Sequence, residues 1–492
     1  MKAIVIFDIC REDRKECQRF SMKSNRLETR KIFSSFFEPS AVAVIGSFRE
    51  SIFGGYVVVK SLLKSGYAGK IFPVNPGYKS VLNLRVYGSL EEIPDPVELA
   101  ILIINAKNVI QVIRQCASQG IRAVIVVADG FAERNQEGAE LQREMVKTAR
   151  ELGVRIIGPN TAGVLNAWSG FNPCPYDAGY YKLKRGPVAI CSQTGMTNPQ
   201  AFPYLEMPYG ISKICDFGNK SDLDECDLLE FLKEDNETRV ISMYLESIKD
   251  GRRFMKIASE VATRKPVLVL KSGKTPSGAA AASSHTGSMA IDDKIFNAVC
   301  LQCGILRLNT FSELFEMPKV FAAMPLPKGN RMAIITYTGG VGVLATDEGA
   351  KYGLTVPGLS PVTQGFLEQI FPMLGRMPVD IGPMTAAVKN FSEIYPVLLK
   401  KVLDDENVDS LLNVLWADPT RVSEPIYLKG YDKIGREIKK PIVTWVYGPS
   451  VPAIHSLKKR LEEMGFPVFP TPEMGVRALG LAWTFVRNAR RH

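Results

Sequence analysis

The residue best surrounded for chemistry is His285, set in the run Lys271 to Ser288, KSGKTPSGAAAASSHTGS. An imidazole with an ordinary pKa of about 6.5 is largely neutral at neutral pH, so one ring nitrogen can attack phosphorus while the other needs an acceptor. The run follows a predicted strand and precedes the helical pattern Ile291, Ile295, Phe296, Val299. Its small residues read as a loop, and a helix beginning at Thr286 to Ser288 would turn free N–H groups and the positive end of its dipole toward the histidine. That setting would receive a phosphoryl group. Glu246, in Met243-Tyr-Leu-Glu-Ser247 at the end of another predicted strand, is placed to accept from the second ring nitrogen and stabilise a charged phosphoimidazole. Taken alone, a histidine in a polar run is more often a solvated or capping side chain, and a lone glutamate an ordinary surface acid. Scarcity favours His285: of three histidines, His455 falls in an amphipathic pattern and His492 is the last residue.

Two further turns offer donors to an oxyanion. Ser192-Gln193-Thr194-Gly195 follows one predicted strand and Gly218-Asn219-Lys220-Ser221-Asp222 the next. Their N–H groups and hydroxyls could cradle phosphate, though each read separately is also a plain turn. Nearer the N-terminus, Gly46-Ser47-Phe48-Arg49 leads through Gly54-Gly55 into the helical pattern Tyr56 to Lys64, where glycine would let backbone approach a pyrophosphate. The spacing is not G-x-G-x-x-G, and such turns use glycine for steric reasons as well. The second strand ends Phe72-Pro-Val74-Asn75-Pro76, with no acidic residue for a ribose 2′-hydroxyl, which disfavours NAD. A neutral Asn75 with Lys79 nearby better suits a ribose carrying a phosphate, as in coenzyme A, although Asn-Pro is also a simple turn.

The framework that must hold these groups is α/β. From about residue 39, short β-branched runs alternate with amphipathic stretches, the pattern of βαβ units and a parallel sheet. The first block has strands at Ala41 to Ile45, Lys70 to Val74, Leu99 to Ile104, Ala123 to Val127 and Arg155 to Ile157. The second has Pro187 to Cys191, Ile211 to Cys215, Val240 to Leu245 and Pro266 to Leu270; the third has Met332 to Thr336, Asp409 to Val414, Pro441 to Val446 and Val468. The polar stretch Trp168 to Gly186 and the linker Met324 to Asn330 separate them, so three Rossmann-like or flavodoxin-like parallel-sheet domains are expected. Their spans are 38–170, 183–325 and 329–490, after an N-terminal extension over 1–37 whose first 21 residues carry no assigned role.

Composition narrows the function. The 492 residues carry a net charge of +10, with Lys and Arg spread along the chain, which favours a phosphorylated small molecule over nucleic acid. No apolar run approaches the ~20 residues of a membrane helix, and the opening MKAIVIFDIC runs at once into REDRKECQR without a signal-peptide pattern, so a cytoplasmic chain is expected. Nine scattered cysteines read as reduced core residues, and the single Cys300-x-x-Cys303 lacks a second half, so no metal site is expected.

Taken together, the segments SSHTGS around His285, GPNTAGVLN from Gly158, SQTG from Ser192, FGNKSDLDECDLLEFL from Phe217, YLESIKDGRRF from Tyr244 and PTPE from Pro470 resemble the α part of the NDP-forming acyl-CoA synthetases. More distantly they resemble succinyl-CoA synthetase. The resemblance runs from about Glu38 to Arg487. It implies that His285 is phosphorylated, that Glu246 holds it, and that its loop swings between two sites. It implies phosphate contacts at Ser192, Gln193, Thr194, Gly195, Gly218, Asn219 and Asn160. It also implies a coenzyme A site bordered by Gly46, Ser47, Phe48, Arg49, Val74, Asn75, Pro76, Asn105 and Gly130. The sequence departs from the pattern at Met289-Ala290-Ile291 after the histidine, and at Asp129 in the Val127 to Gly130 turn, which puts Asp129's contribution in doubt. These residues show no ATP-grasp pattern, so the resemblance leads to the expectation of ADP/ATP and Mg²⁺ on a separate β subunit, in an α₂β₂ heterotetramer acting on a small carboxylic acid or acyl-CoA. Which acid, ADP or GDP, and the physiological direction stay open. Three rivals are a non-catalytic sensor of coenzyme A, an enzyme that passes an acyl group to another protein, and an NAD dehydrogenase, which the missing ribose carboxylate disfavours.

Overall fold

Continuous apolar runs bounded by Gly, Pro and Asn become parallel strands buried on both faces. The structure, a computed structural model, describes residues 31–286, 292–435 and 438–490, with the backbone alone for 282–286 and 386. The first run of strands is β1 (Ala41–Gly46), β2 (Lys70–Val74), the small hairpin β3 (Ser80–Val81) and β4 (Leu84–Arg85), then β5 (Leu99–Ile103), β6 (Ala123–Val126) and β7 (Arg155–Ile157). They form a parallel sheet in the order β2-β1-β5-β6-β7. Every residue of β1 is buried. The order reverses between β1 and β5, which opens a crevice beyond their carboxyl ends, the usual ligand position in an open α/β sheet.

Next come β8 (Val164–Asn166), β9 (Arg185–Ser192), β10 (Ile211–Asp216) and β11 (Val240–Leu245). The order is β11-β9-β10-β8, with β8 antiparallel to β10 and the others parallel. β12 (Val267–Lys271) pairs in parallel with β13 (Leu306–Leu308). The last sheet holds β14 (Met332–Thr336), β15 (Val379–Asp380), β16 (Ser410–Trp416), β17 (Ile442–Tyr447) and β18 (Val468–Phe469), in the parallel order β15-β14-β16-β17-β18. The described chain divides into two compact units: one runs to Leu205 and adds Gly210–Val261 and Lys271–Val299, and the other holds Glu206–Tyr209, Ala262–Leu270 and the residues from Cys300. Every residue considered below for the site lies in the first unit.

Two expectations change. Residues 31–37, assigned to an extension, are helical. Phe33, Phe36 and Phe37 are buried there, and Phe33 and Phe37 stack on Phe231 at 5.2 and 5.5 Å. Burying one such ring contributes about 2–3 kcal/mol, so this segment is part of the first unit's core. The small-residue run before the histidine is a helix, Pro276–Thr286, and not a loop. Pro276 sits at its first position and Thr275 caps it, with the Gly278 N–H donating to Thr275 Oγ1 at 3.1 Å. Alanine is the strongest helix former, and four in a row outweigh the flexibility read into glycine and serine. His285 therefore ends one helix, and the next begins at Asp293 rather than at Thr286.

No described helix is long and apolar enough to cross a membrane. Seven described cysteines are free and buried, and burial pushes the Cys116 and Cys174 thiols up to about 12.

Candidate active site

The carboxyl ends of β2, β1 and β5 enclose a pocket of about 440 Å³ at the point where the strand order reverses. Gly46, Ser47, Val74, Asn75, Pro76 and Asn105 all line it, joined by Leu90, Asn108 and Val112. Helix Ala106–Ser118 starts at its wall: Asn105 is the N-cap, its side chain accepts from the Lys107 N–H at 3.1 Å, and the first turn has no acidic residue. The positive end of the helix dipole at such a terminus suits a pyrophosphate. An uncharged pocket with apolar Leu90 and Val112 and a helix N-terminus fits coenzyme A.

Three predicted residues lie outside this lining. Phe48 is buried, edge-on to Tyr78 at 5.8 Å. Arg49 is exposed, and its N–H donates to Ser47 Oγ at 3.4 Å. Gly130, at φ 96°, occupies a turn whose N–H groups at Gly130 and Phe131 donate to Glu133 Oε1. The glycines of the first turn prove steric: a Cβ on Gly46 would lie 2.8 Å from the Ile103 carbonyl, and one on Gly55 2.8 Å from that of Ser47. Asn75 lines the pocket, but its amide ties the two strand ends together, donating to the Gly46 carbonyl and accepting from the Gly77 N–H, each at 2.8 Å.

A second centre forms where β9, β10 and β11 end side by side, with Ser192 in register with both Asp216 and Tyr244. Gln193 reaches across it: Oε1 accepts from the N–H groups of Glu246 at 2.7 Å and Ser247 at 3.1 Å. Glu246 is buried, and Tyr244 Oη donates to its Oε1 at 3.1 Å. Burial pushes the Tyr244 hydroxyl up to about 12, so it donates throughout the working range. From below, Lys220 Nζ donates to the Ser247 carbonyl and to Glu225 Oε2, both at 2.6 Å. The Ser272 N–H donates to the Leu245 carbonyl at 3.1 Å, so the segment entering the His285 helix departs from beside Glu246. The His285 side chain lies outside the described residues.

The phosphate-binding expectations separate into two groups. Ser192 and Thr194 sit at the strand end as expected. Their oxygens accept from the N–H groups of Thr194 at 2.9 Å and Met196 at 3.3 Å, which leaves each hydroxyl hydrogen to donate. Gly195 begins the short helical turn after them. Gly218 and Asn219 serve the protein instead. The Gly218 N–H donates to Asp216 Oδ1 at 3.1 Å, and Asn219 Nδ2 donates to Glu133 Oε2 at 2.5 Å and Gln142 Oε1 at 2.9 Å. A Cβ on Gly218 would come within 2.2 Å of the Pro159 carbonyl and 2.4 Å of Asn160's. Asn160, at φ 58°, is thereby packed against this turn. Asp216, Lys220 and Tyr244 were not anticipated, although Asp216 follows a predicted strand and precedes a predicted phosphate turn.

Comparison with known proteins matches two segments of the chain to families. The family described as a CoA binding domain matches residues 40–167, and that described as a succinyl-CoA ligase like flavodoxin domain matches 185–321. The α subunit of ADP-forming acetate–CoA ligase I from Pyrococcus furiosus is 36% identical over 471 residues, 93% of this chain and 98% of the relative. ADP-forming acetate–CoA ligase II from Archaeoglobus fulgidus is 38% identical over 459 residues, covering 92% of this chain and 67% of the relative. The solved dinucleotide forming acetyl-coenzyme A synthetase 1 from Ca. Korarchaeum cryptofilum, in complex with phosphate and ADP, superposes with a TM-score of 0.84 at 30% identity, covering 93% of this chain and 97% of that one. With a strand-end pocket that fits coenzyme A, a second strand-end centre built on Glu246, and likeness to an α subunit over nearly its whole length, the chain belongs to the family of the ADP-forming acetate–CoA ligases.

Proposed function

We propose that the chain is the coenzyme A-binding and phosphoryl-relay α subunit of an acid–CoA ligase that interconverts acyl-CoA, ADP and phosphate with acid, ATP and coenzyme A. The observation that carries this reading is the clasp around Glu246: Gln193 holds the N–H groups of Glu246 and Ser247, Tyr244 donates to its carboxylate, and the chain toward His285 leaves from the adjacent strand end. Coenzyme A occupies the pocket of the first domain, 38–170, and the relay belongs to the second, 183–325. The third, 329–490, completes the subunit.

A phosphate oxygen attacks the thioester carbonyl, the C–S bond breaks, and coenzyme A leaves as the acyl phosphate forms. A ring nitrogen of His285 then attacks phosphorus, the bond to the acyl oxygen breaks, and the acid leaves as carboxylate. Finally an oxygen of the ADP β-phosphate takes the phosphoryl group and the P–N bond breaks. Glu246 fixes the imidazole tautomer and offsets the charge of the phosphohistidine, while the hydroxyls of Ser192 and Thr194 donate to phosphate. ADP and Mg²⁺ reside on a separate ATP-grasp β chain, in a cytoplasmic α₂β₂ assembly.

The test is reconstitution of the chain with an ATP-grasp partner, following ATP formed from acetyl-CoA, ADP and phosphate. His285→Ala should abolish ATP formation and leave coenzyme A affinity unchanged. ATP formed at the wild-type rate by that variant would overturn the relay.

A further inference from the structure

Asp216, at the end of β10, has no part in the reaction as set out above, yet it joins three segments that meet at the second centre. Its Oδ2 accepts from the Ala162 N–H at 2.7 Å and its Oδ1 from the Gly218 N–H at 3.1 Å. Its own N–H donates to the Gly163 carbonyl at 2.9 Å, and its carbonyl accepts from Thr161 Oγ1 at 2.5 Å. It lies in register with Ser192, and the Phe217 N–H donates to the Ser192 carbonyl at 2.8 Å. A Cβ added to Gly195 would sit 4.0 Å from Oδ2, so the carboxylate also adjoins the Ser192 to Gly195 turn.

The residue type matters. Asp216 is 2% exposed, and its burial, with the Glu246 carboxylate adding to it, opposes its ionisation. A group used only as a spacer would avoid that cost. The two N–H groups come from different segments, and only a carboxylate offers one accepting oxygen to each. An asparagine would turn its NH₂ toward one of those N–H groups, donor against donor.

We infer that Asp216 is a positioning residue for the phosphate step, its carboxylate fastening the Asn160 to Gly163 and Gly218 to Asn219 segments against the Ser192 turn so that the hydroxyls of Ser192 and Thr194 meet inorganic phosphate in one geometry. This rests on the reading that phosphate binds at the end of β9. Asp216 itself touches backbone N–H groups and not phosphate.

The test uses the reconstituted enzyme and steady-state kinetics in acyl-CoA, phosphate and ADP. In Asp216→Asn the KM for phosphate should rise about tenfold, with the KM for acyl-CoA and the affinity for coenzyme A within twofold of wild type. A phosphate KM within twofold of wild type, or an equal rise in both KM values, would overturn the inference. Ser192→Ala is measured in parallel. If it raises the phosphate KM while Asp216→Asn does not, the inference about Asp216 fails and the phosphate placement stands; if neither raises it, the placement itself has failed. Should Asp216→Asn not fold, judged by circular dichroism and coenzyme A binding, Thr161→Val decides. It removes the hydroxyl held on the Asp216 carbonyl and should raise the phosphate KM about threefold with the acyl-CoA KM unchanged; no selective rise overturns the inference.

Discussion

Replacing Lys220 with methionine tests how the Glu246 turn is supported. The Lys220 and Glu225 side chains are both 0% exposed and their charged atoms are 2.6 Å apart. Among the described residues Glu225 Oε1 has no hydrogen-bond partner, so Lys220 answers that carboxylate's charge through Oε2 alone. Removing one member of a buried pair leaves the other uncompensated and costs about 3–5 kcal/mol. For a unit of this size about 1 kcal/mol lowers Tm by roughly 2–4 °C, so Lys220→Met should lower the transition of the first unit by about 10 °C in scanning calorimetry. Lys220→Met combined with Glu225→Leu removes both charges and should recover most of that loss, giving a coupling energy of about 2–3 kcal/mol. Recovery of stability should not restore turnover, because the Ser247 carbonyl, beside Glu246, has lost the ammonium that held it at 2.6 Å. A shift below about 2 °C for the single variant, or a double variant worse than the sum of its parts, would refute the reasoning.

Three other outcomes follow from the same structure. Asn105→Asp keeps the cap on helix Ala106–Ser118 and puts a negative charge at the pocket wall; it should weaken coenzyme A binding at least fivefold by calorimetric titration without lowering Tm. Gln193→Leu strips the buried N–H groups of Glu246 and Ser247 of their acceptor, at about 1–3 kcal/mol each, and should lower kcat at least tenfold while coenzyme A affinity is unchanged. Burial pushes the Asp216 carboxyl from the ordinary 3.8 up to about 6. Between those values the native chain binds more protons than the unfolded one, so this group's contribution to stability is full below about pH 4 and is lost as pH rises through about 6. At about 1.36 kcal/mol per pH unit the loss approaches about 3 kcal/mol. Urea unfolding at pH 4, 5, 6 and 7 should show that decline in wild type relative to Asp216→Asn, and parallel curves would contradict it.

The parallel strands were legible because a strand buried on both faces must be apolar throughout, and β1, β2, β7 and β11 fall within a residue of their predicted limits. Antiparallel β8 was not, since three residues after Gly163 carry no periodicity. The helix before His285 was missed because small residues were taken for coil, whereas alanine resists that reading. Glu246 and the Ser192 turn could be found from strand ends. What supports them could not: Asp216 meets Ala162 across 54 residues, and Lys220 meets Ser247 across 27, and such pairings exist only once the sheet has formed. Asn75 and Asn219 carry protein contacts that the sequence did not show: Asn75 lines the pocket while its amide donates to the Gly46 carbonyl, and Asn219 donates to Glu133.

The most direct test of the relay is the intact mass of the purified chain after incubation with acetyl-CoA and inorganic phosphate, followed by acid and base treatment and peptide mapping. The account predicts a gain of one phosphoryl group on His285, labile in acid and stable in base, and absent from both His285→Ala and samples without phosphate. Coenzyme A binding without any such adduct, across several acyl-CoA donors, would contradict it and leave the chain a sensor of coenzyme A.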